Sequence, residues 1–341
     1  MSMVSKTPFQ LTGHYAEHNK WENIDGPGDS RVTGSRVIAD EGLVGAWADK
    51  VILITGVSSG IGLETVRALA STGATIFGTA RNIEKAEIAL KPLLNSARVH
   101  LLFMDQTDLS SVRATAAEFQ KRSQRLDVLI NNAGVMKTPE GRTKDGYELQ
   151  FGTNHLAHFL LFNLLKDTLI ASATAQFHSR VINVSSSGHR YGPLRLDNIN
   201  FEGVYDGWAA YGSSKTANIH MATQIERLYG GSCLHGYSLN PGSMVSPNLQ
   251  KFCPDEIAAI KGNERMEKYF VNMEQGCATN VYGAVSKDLE AKGGLYLEGA
   301  SIAGPCPEDG DQVEYGYGSW AFDKEKEEQL WELSKKMVGI A

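Results

Sequence analysis

Short, almost unbroken apolar runs alternate along this chain with longer stretches of helical periodicity. The runs are VILIT (51–55), ATIFGTA (74–80), VHLLFM (99–104), DVLINN (127–132), RVINVSS (180–186), LHGYSLN (234–240) and GLYL (294–297). Runs of this length without polar alternation are expected of strands buried on both faces. Helical patterns lie between them at 63–69, 83–94, 109–119, 147–169, 208–229 and 278–289, and an amphipathic stretch at 324–337 closes the chain. Asn82 and Asp108 suit the N-caps of the second and third of these. In 208–229 the positions Ala209, Ala217, Ile219, Ala222, Ile225 and Leu228 read as core. Strand and helix alternate almost throughout. That rhythm predicts an α/β fold, a Rossmann-type doubly wound parallel sheet of about seven strands with helices on both faces.

Residues 1–49 are polar, Gly-rich and weakly periodic. They are expected to be an N-terminal extension that covers the folded unit or an interface, with 50–341 a single catalytic domain. A lid is expected near 247–275, where Phe252, Ile257, Ile260, Met266, Tyr269 and Phe270 give apolar and aromatic character. A helix packed on the core would show the same residues. The C-terminal helix is expected near 324–338, with DKEKEE (323–328) as its solvated start.

Composition narrows the function. At 341 residues and 42% hydrophobic residues the chain can bury a large core. Its net charge of −6 comes from interspersed acids and bases, which argues against a nucleic-acid partner. Cys233, Cys253, Cys277 and Cys306 form no CxxC pair and read as reduced thiols in the cytoplasm. His14 and His18 have the spacing of a helical metal pair but lack a third ligand nearby, so no metal site is expected. No stretch approaches the ~20 apolar residues of a membrane span. FLLFNLL (159–165) is short and contains Asn163.

Chemistry enters at TGVSSGIG (55–62), which joins the first strong strand to a helix. Gly56 permits a tight turn, Gly60 lets backbone approach a pyrophosphate, and Gly62 lets helix pack on sheet. Ser58, Ser59 and Ile61 complete the turn. The helix N-terminus offers free N–H groups to phosphate. At the end of the second strand an acid would bind the ribose hydroxyl of NAD. This chain has Arg81 there, and a guanidinium fork suits the 2′-phosphate of NADP.

YGSSK (211–215) lies in a helical pattern, so Tyr211 and Lys215 share one helix face. A phenol with a pKa of ~10 is a poor base at neutral pH. An ammonium ~4 Å away at an effective dielectric near 20 is worth ~4 kcal/mol, or ~3 pK units at most. Burial opposes that shift. Ser185, Ser186 and Ser187 all end a strand at the carboxyl edge, where ligands of such sheets bind.

TGxxxGIG, NNAG (131–134), NVSS (183–186) and YGSSK together resemble the short-chain dehydrogenases/reductases. The resemblance covers roughly 50–340. FGTNHLAHFLL, LDNINFE (196–202), WAAYGSSKTANI (208–219) and ELSKKMVG are similar to the branch holding retinol dehydrogenases and WW-domain oxidoreductases. The resemblance selects Ser186 among the serines and makes Asn154, Ser186, Tyr211 and Lys215 the catalytic set. Tyr211 would move the proton, Lys215 lower its pKa and hold the nicotinamide ribose, and Ser186 orient the oxygen. Asn154 would support a helix distortion and a water beyond the lysine. The family's adenine contact falls on Asp105, its ribose contacts on Asn132, Ala133 and Gly134, and its carboxamide contacts on Pro241, Gly242 and Val245. Gln106 departs from the Leu usual there, and YGYGSW (315–320) lies outside the shared pattern.

The resemblance implies an NADP(H)-dependent oxidoreductase that interconverts carbonyl and alcohol on a lipophilic small molecule, favouring reduction, as monomer or homodimer. The alternatives are a non-redox step such as isomerisation or dehydration on the same fold, and a non-catalytic NADP-binding sensor. A sensor has no need of a phenol beside an ammonium.

Overall fold

The alternating pattern is realised as one sheet. The computed structural model describes residues 9–340 apart from 261, 308, 309, 311 and 312. Residues 1–8 of the extension, residue 261 of the lid and the side chain of Ile260 lie outside the described residues. In chain order the strands are β1 (Leu11–Thr12), β2 (Val51–Thr55), β3 (Thr75–Ala80), β4 (Val99–Phe103), β5 (Val128–Asn131), β6 (Ser179–Val184), β7 (Leu234–Asn240), β8 (Leu295–Glu298) and β9 (Ser301–Ala303). The helices are α1 (Gly34–Asp40), α2 (Gly60–Ala70), α3 (Ile83–Leu94), α4 (Leu109–Arg122), α5 (Leu149–Phe151), α6 (Ala157–Ser172), α7 (Gly207–Tyr229), α8 (Pro254–Ile260), α9 (Glu264–Tyr269), α10 (Met273–Gly276), α11 (Ala278–Val285) and α12 (Lys324–Met337).

The strand order is β1-β9-β8-β7-β6-β5-β2-β3-β4. Strands β2 to β8 are parallel, and they are the seven apolar runs of the sequence. The expected count of about seven is corrected to nine among the described residues, because β9 and β1 add antiparallel at the β8 edge. At two and three residues they are too short to show a periodicity.

Alternate residues of each strand feed opposite layers. Ile52 and Ile54 face a layer with Val66 and Leu69 of α2 and Val281 of α11. Val51 and Leu53 face one with Phe119 of α4, Phe159 of α6 and Met221 of α7. The chain reverses its direction of winding between β2 and β5, and the carboxyl ends of those strands open a crevice. Asn82 and Asp108 cap α3 and α4 as expected. Asp323 caps α12, whose Trp331 meets the ring of Phe159 edge-on at 4.9 Å and so closes the outer face of α6.

The stretch from residue 9 to 49 is woven into this body. Val37 and Ile38 of α1 are fully buried in the layer containing Val281. Arg31 is buried and paired with Asp29 at 2.8 Å. It also donates to the carbonyls of Tyr269 and Phe270 at 2.6 and 2.5 Å, bracing the end of α9. The predicted helix over 147–169 is interrupted instead of continuous: a π turn spans Gly152–Leu156 between α5 and α6.

Four buried histidines give the fold an acid weakness. Burial holds His158, His189 and His220 down at about 4 and His155 at about 3. The unfolded chain therefore takes up these protons first as pH falls below about 6.5. Their contribution to stability is complete above that pH and drains away toward pH 4, by roughly 3 kcal/mol per histidine. The carboxyls of Glu148 and Glu298, raised by burial, act in the opposite sense but are outnumbered. The denaturant midpoint is expected to drop steeply between pH 6.5 and 4.5. A flat profile over that window contradicts neutral burial of these rings.

Candidate active site

The glycine turn after β2 is built by close approach. A Cβ on Gly62 would stand 2.3 Å from the Gly56 carbonyl oxygen and 2.5 Å from Asn132 Nδ2, so only glycine fits. The Thr55 hydroxyl accepts the backbone N–H groups of Asn132 and Ala133, each at 2.9 Å, and Asn132 Nδ2 donates to the Thr55 carbonyl at 2.8 Å. These bonds join two motifs separated by more than seventy residues in sequence. Ser59 Oγ accepts from Asn248 Nδ2 at 3.0 Å, tying the turn to the loop beyond β7.

Gly56, Ser58, Ser59, Gly60, Ile61, Gly62, Arg81, Asp105, Asn132, Ala133, Gly134, Pro241 and Gly242 line one cleft of about 630 Å³ together with Ser186, Tyr211 and Lys215. Val245 does not line it. Its neighbours Met244 and Ser246 do, and Val245 turns outward, 44% exposed. Arg81 is exposed immediately after β3. The sequence reading missed Lys85, which lines the same end of the cleft one helical turn beyond Arg81. A second basic residue at that spacing was the available signal. It also missed Thr107, whose backbone N–H and hydroxyl donate to Asp105 Oδ1 at 3.0 and 2.8 Å and fix that carboxylate.

Tyr211 and Lys215 project from α7 as the spacing predicts. Lys215 Nζ lies 5.6 Å from the centre of the phenol ring and donates to the Val184 carbonyl at 3.0 Å. Both side chains are buried at the floor of the cleft. Burial pushes the Tyr211 phenol up to about 12, with the Ser186 hydroxyl pulling the other way, and pushes Lys215 down to about 8. The expected lowering of the phenol by the ammonium is not what sets it: burial dominates, opposed by the Ser186 hydroxyl.

Asn154 sits inside the π turn, fully buried behind the cleft wall. Its Oδ1 accepts Val135 N–H at 2.8 Å, and its Nδ2 donates to the Val135 carbonyl and the Ser214 hydroxyl at 3.0 and 2.9 Å. Its backbone carbonyl accepts from His158 Nδ1 at 2.9 Å. A Cβ on Gly134 would lie 3.1 Å from Asn154 Oδ1 and 3.4 Å from Lys215 Nζ, so the bare backbone at 134 is what lets those groups converge.

Beyond Tyr211 the cleft turns apolar. Met136, Trp208, Leu249, Phe252, Ile257 and Phe270 line this end, the last four contributed by the 247–275 region. Lys137 pairs with Glu256 of α8 and lies 5.5 Å from the centre of the Trp208 ring, so α8 is fastened at the rim of the cleft.

A doubly wound sheet with this cleft at its switch point belongs to the class of nucleotide-binding α/β proteins. The family model described as short chain dehydrogenase matches residues 50–256. The chain is 43% identical over 335 residues to short-chain dehydrogenase/reductase prx1 of Penicillium roqueforti, covering 97% of this chain and 98% of that one. It is 33% identical over 294 residues to retinol dehydrogenase 12 of Mus musculus, covering 85% and 87%. Among solved structures it is similar to an uncharacterised protein from Mycobacterium Paratuberculosis, at 30% identity and a TM-score of 0.65, covering 88% and 97%. This chain belongs to the short-chain dehydrogenase family of oxidoreductases.

Proposed function

We propose that the chain is an NADP(H)-dependent oxidoreductase that interconverts a carbonyl and an alcohol on a lipophilic small molecule, working as a reductase. The observation that carries this reading is the placement of a buried Tyr211–Lys215 pair and Ser186 between the glycine cradle and an apolar pocket within one cleft. The residues fit the nucleotide. Gly60, where only Ser246 Oγ lies within 4 Å of a Cβ position, leaves open the ground that a pyrophosphate needs, and Arg81 with Lys85 offers two cations to a 2′-phosphate. Asp105 would take the adenine, Asn132, Ala133 and Gly134 the ribose, and Pro241 and Gly242 the carboxamide. Bound there, the nicotinamide supplies or accepts the hydride.

The chain's own residues handle the proton. During reduction the Tyr211 hydroxyl gives its proton to the substrate oxygen, and during oxidation it takes that proton back. The Ser186 hydroxyl donates a hydrogen bond to the same oxygen and steadies its developing charge. The Lys215 ammonium stabilises the phenolate left behind and bonds the ribose. Asn154, through Val135 and Ser214, ties the loop beyond β5 to the helix that carries Tyr211 and Lys215. The unit 50–341 carries this chemistry, and Arg31 of the extension braces its lid. The four free cysteines support a reducing, cytoplasmic setting, and among the described residues no helix is long and apolar enough to cross a membrane.

The charged form of Lys215 predicts a pH profile. Its pKa is lowered to about 8, so the ammonium persists below that pH and is lost as pH rises through it. The kcat/KM for reduction, which reports the free enzyme, is expected to be level around neutrality and to fall above about pH 8. A profile still level at pH 9.5 removes Lys215 from the proton step. The reading as a whole is tested by NADPH consumption against a panel of lipophilic aldehydes, ketones and quinones. Turnover of at least one class is expected. Tight NADPH binding with no consumption across the panel favours a sensor.

A further inference from the structure

The segment 315–320, which lies beyond the residues 50–256 matched by the family model, reaches Ser186 through one histidine. His189 follows Ser186 by three residues in a short 3-10 turn and is completely buried. Both of its ring nitrogens are engaged. The Gly318 backbone N–H donates to Nε2 at 2.9 Å. An amide N–H can only donate, so Nε2 is the bare nitrogen and the ring proton sits on Nδ1. Nδ1–H then donates to the Ser186 carbonyl at 2.6 Å, beside the turn's own bond from His189 N–H at 3.1 Å. The His189 carbonyl is held from the other side by the Trp320 indole N–H at 3.1 Å.

The far end of this connection is fixed to the sheet and to α7. Gly316 N–H donates to Glu298 Oε2 of β8 at 2.8 Å. Backbone bonds run from Tyr317 N–H to the Gly304 carbonyl and from Cys306 N–H to the Tyr317 carbonyl. His220 of α7 donates from Nε2 to the Trp320 carbonyl at 3.1 Å. The segment is thus a bracket spanning the sheet edge and the tyrosine helix, and its centre bears on the ring of His189.

We propose that His189 is a positioning residue through which segment 315–320 sets the placement of Ser186 against Tyr211. The proposal rests on the catalytic reading of Ser186. The turn carrying Ser186 packs directly on the phenol: a Cβ on Gly188 would lie 2.7 Å from Tyr211 Cε1 and 3.3 Å from Ser186 Oγ. A shift of about 1 Å in this turn moves the Ser186 hydroxyl relative to the phenol, and misplacement on that scale is costly in rate. Neutrality of the ring, with a pKa of about 4, keeps Nε2 free to accept at working pH.

The test compares His189→Ala and His189→Asn, the latter keeping a donor near the Nδ1 position while losing the link to Gly318. Each is measured alone and in a Ser186→Ala background, with NADPH and the fastest compound of the carbonyl panel. His189→Ala is expected to lower kcat about tenfold, with KM and the NADPH Kd within about twofold and part of the loss restored in His189→Asn. In the Ser186→Ala background the same change is expected to cost less than about twofold, because a residue acting through Ser186 has nothing left to position. An equal loss in both backgrounds, or unchanged kcat in a folded His189→Ala protein, overturns the proposal. Should His189→Ala not fold, His189→Asn and Trp320→Phe carry the comparison. Amide exchange across 185–191 with NADPH bound needs no substrate. It is expected to rise in the His189 variants while 56–62 stays protected, and unchanged exchange overturns the link. Loss of the function reading itself shows elsewhere, as full turnover in Tyr211→Phe.

Discussion

Tyr211→Phe is expected to lower kcat by ~10²–10⁴-fold while leaving the NADPH Kd within about twofold. The substitution removes only a hydroxyl from a buried ring, so packing on α7 is kept and the group that moves the proton is lost. The phenol does not hold the glycine turn, which is built from Thr55, Asn132 and Ala133. Lys215→Ala differs in kind. Its ammonium bonds the Val184 carbonyl and lies beside both Tyr211 and Gly134, so rate and cofactor affinity should fall together. Rapid-mixing kinetics with fluorescence titration separates the two outcomes. Retention of full kcat in Tyr211→Phe with chemistry rate-limiting removes the phenol from proton transfer and favours a non-redox step.

The second large effect concerns cofactor choice. NADPH is expected to bind at least ~10-fold tighter than NADH, because a guanidinium fork bonds two phosphate oxygens at once. Arg81→Asp should erase or reverse that preference, by placing a carboxylate where a ribose hydroxyl can donate and a phosphate is repelled. Lys85→Ala should cost less, since an ammonium on the neighbouring turn acts as a point charge. Equal affinities for the two nucleotides in the parent protein contradict the assignment.

The fold was legible where local pattern and burial coincide. The seven parallel strands lie on the seven apolar runs because most are covered on both faces, the edge strand β4 with its exposed Phe103 being the exception. The caps at Asn82 and Asp108 were legible because a side chain bonding its own helix start is a local event. What was hidden is long-range. Strand β1 exists only because β9 offers an edge, and Arg31 is buried only because the carbonyls of Tyr269 and Phe270 close over it. The π turn at Asn154 shows in sequence only as an asparagine in a helical pattern; bonds to Val135 and Ser214 make it a site.

Within the site, spacing brought Tyr211 and Lys215 to one face, but the balance between burial and charge was not readable from it. Burial wins, holding the phenol at about 12 and the ammonium at about 8. Lys85, Thr107 and Asn248 were missed because each acts from a loop or helix start brought to the cleft by the sheet.

The most direct measurement is isotope transfer. NADPH deuterated at the transferring carbon of its nicotinamide is incubated with the protein and a compound turned over in the panel, and the product is analysed by mass spectrometry. The account predicts one deuterium on the former carbonyl carbon, one oxidised nucleotide per alcohol formed, and loss of both signals together in Tyr211→Phe. A product that carries no deuterium while the nucleotide stays reduced contradicts it.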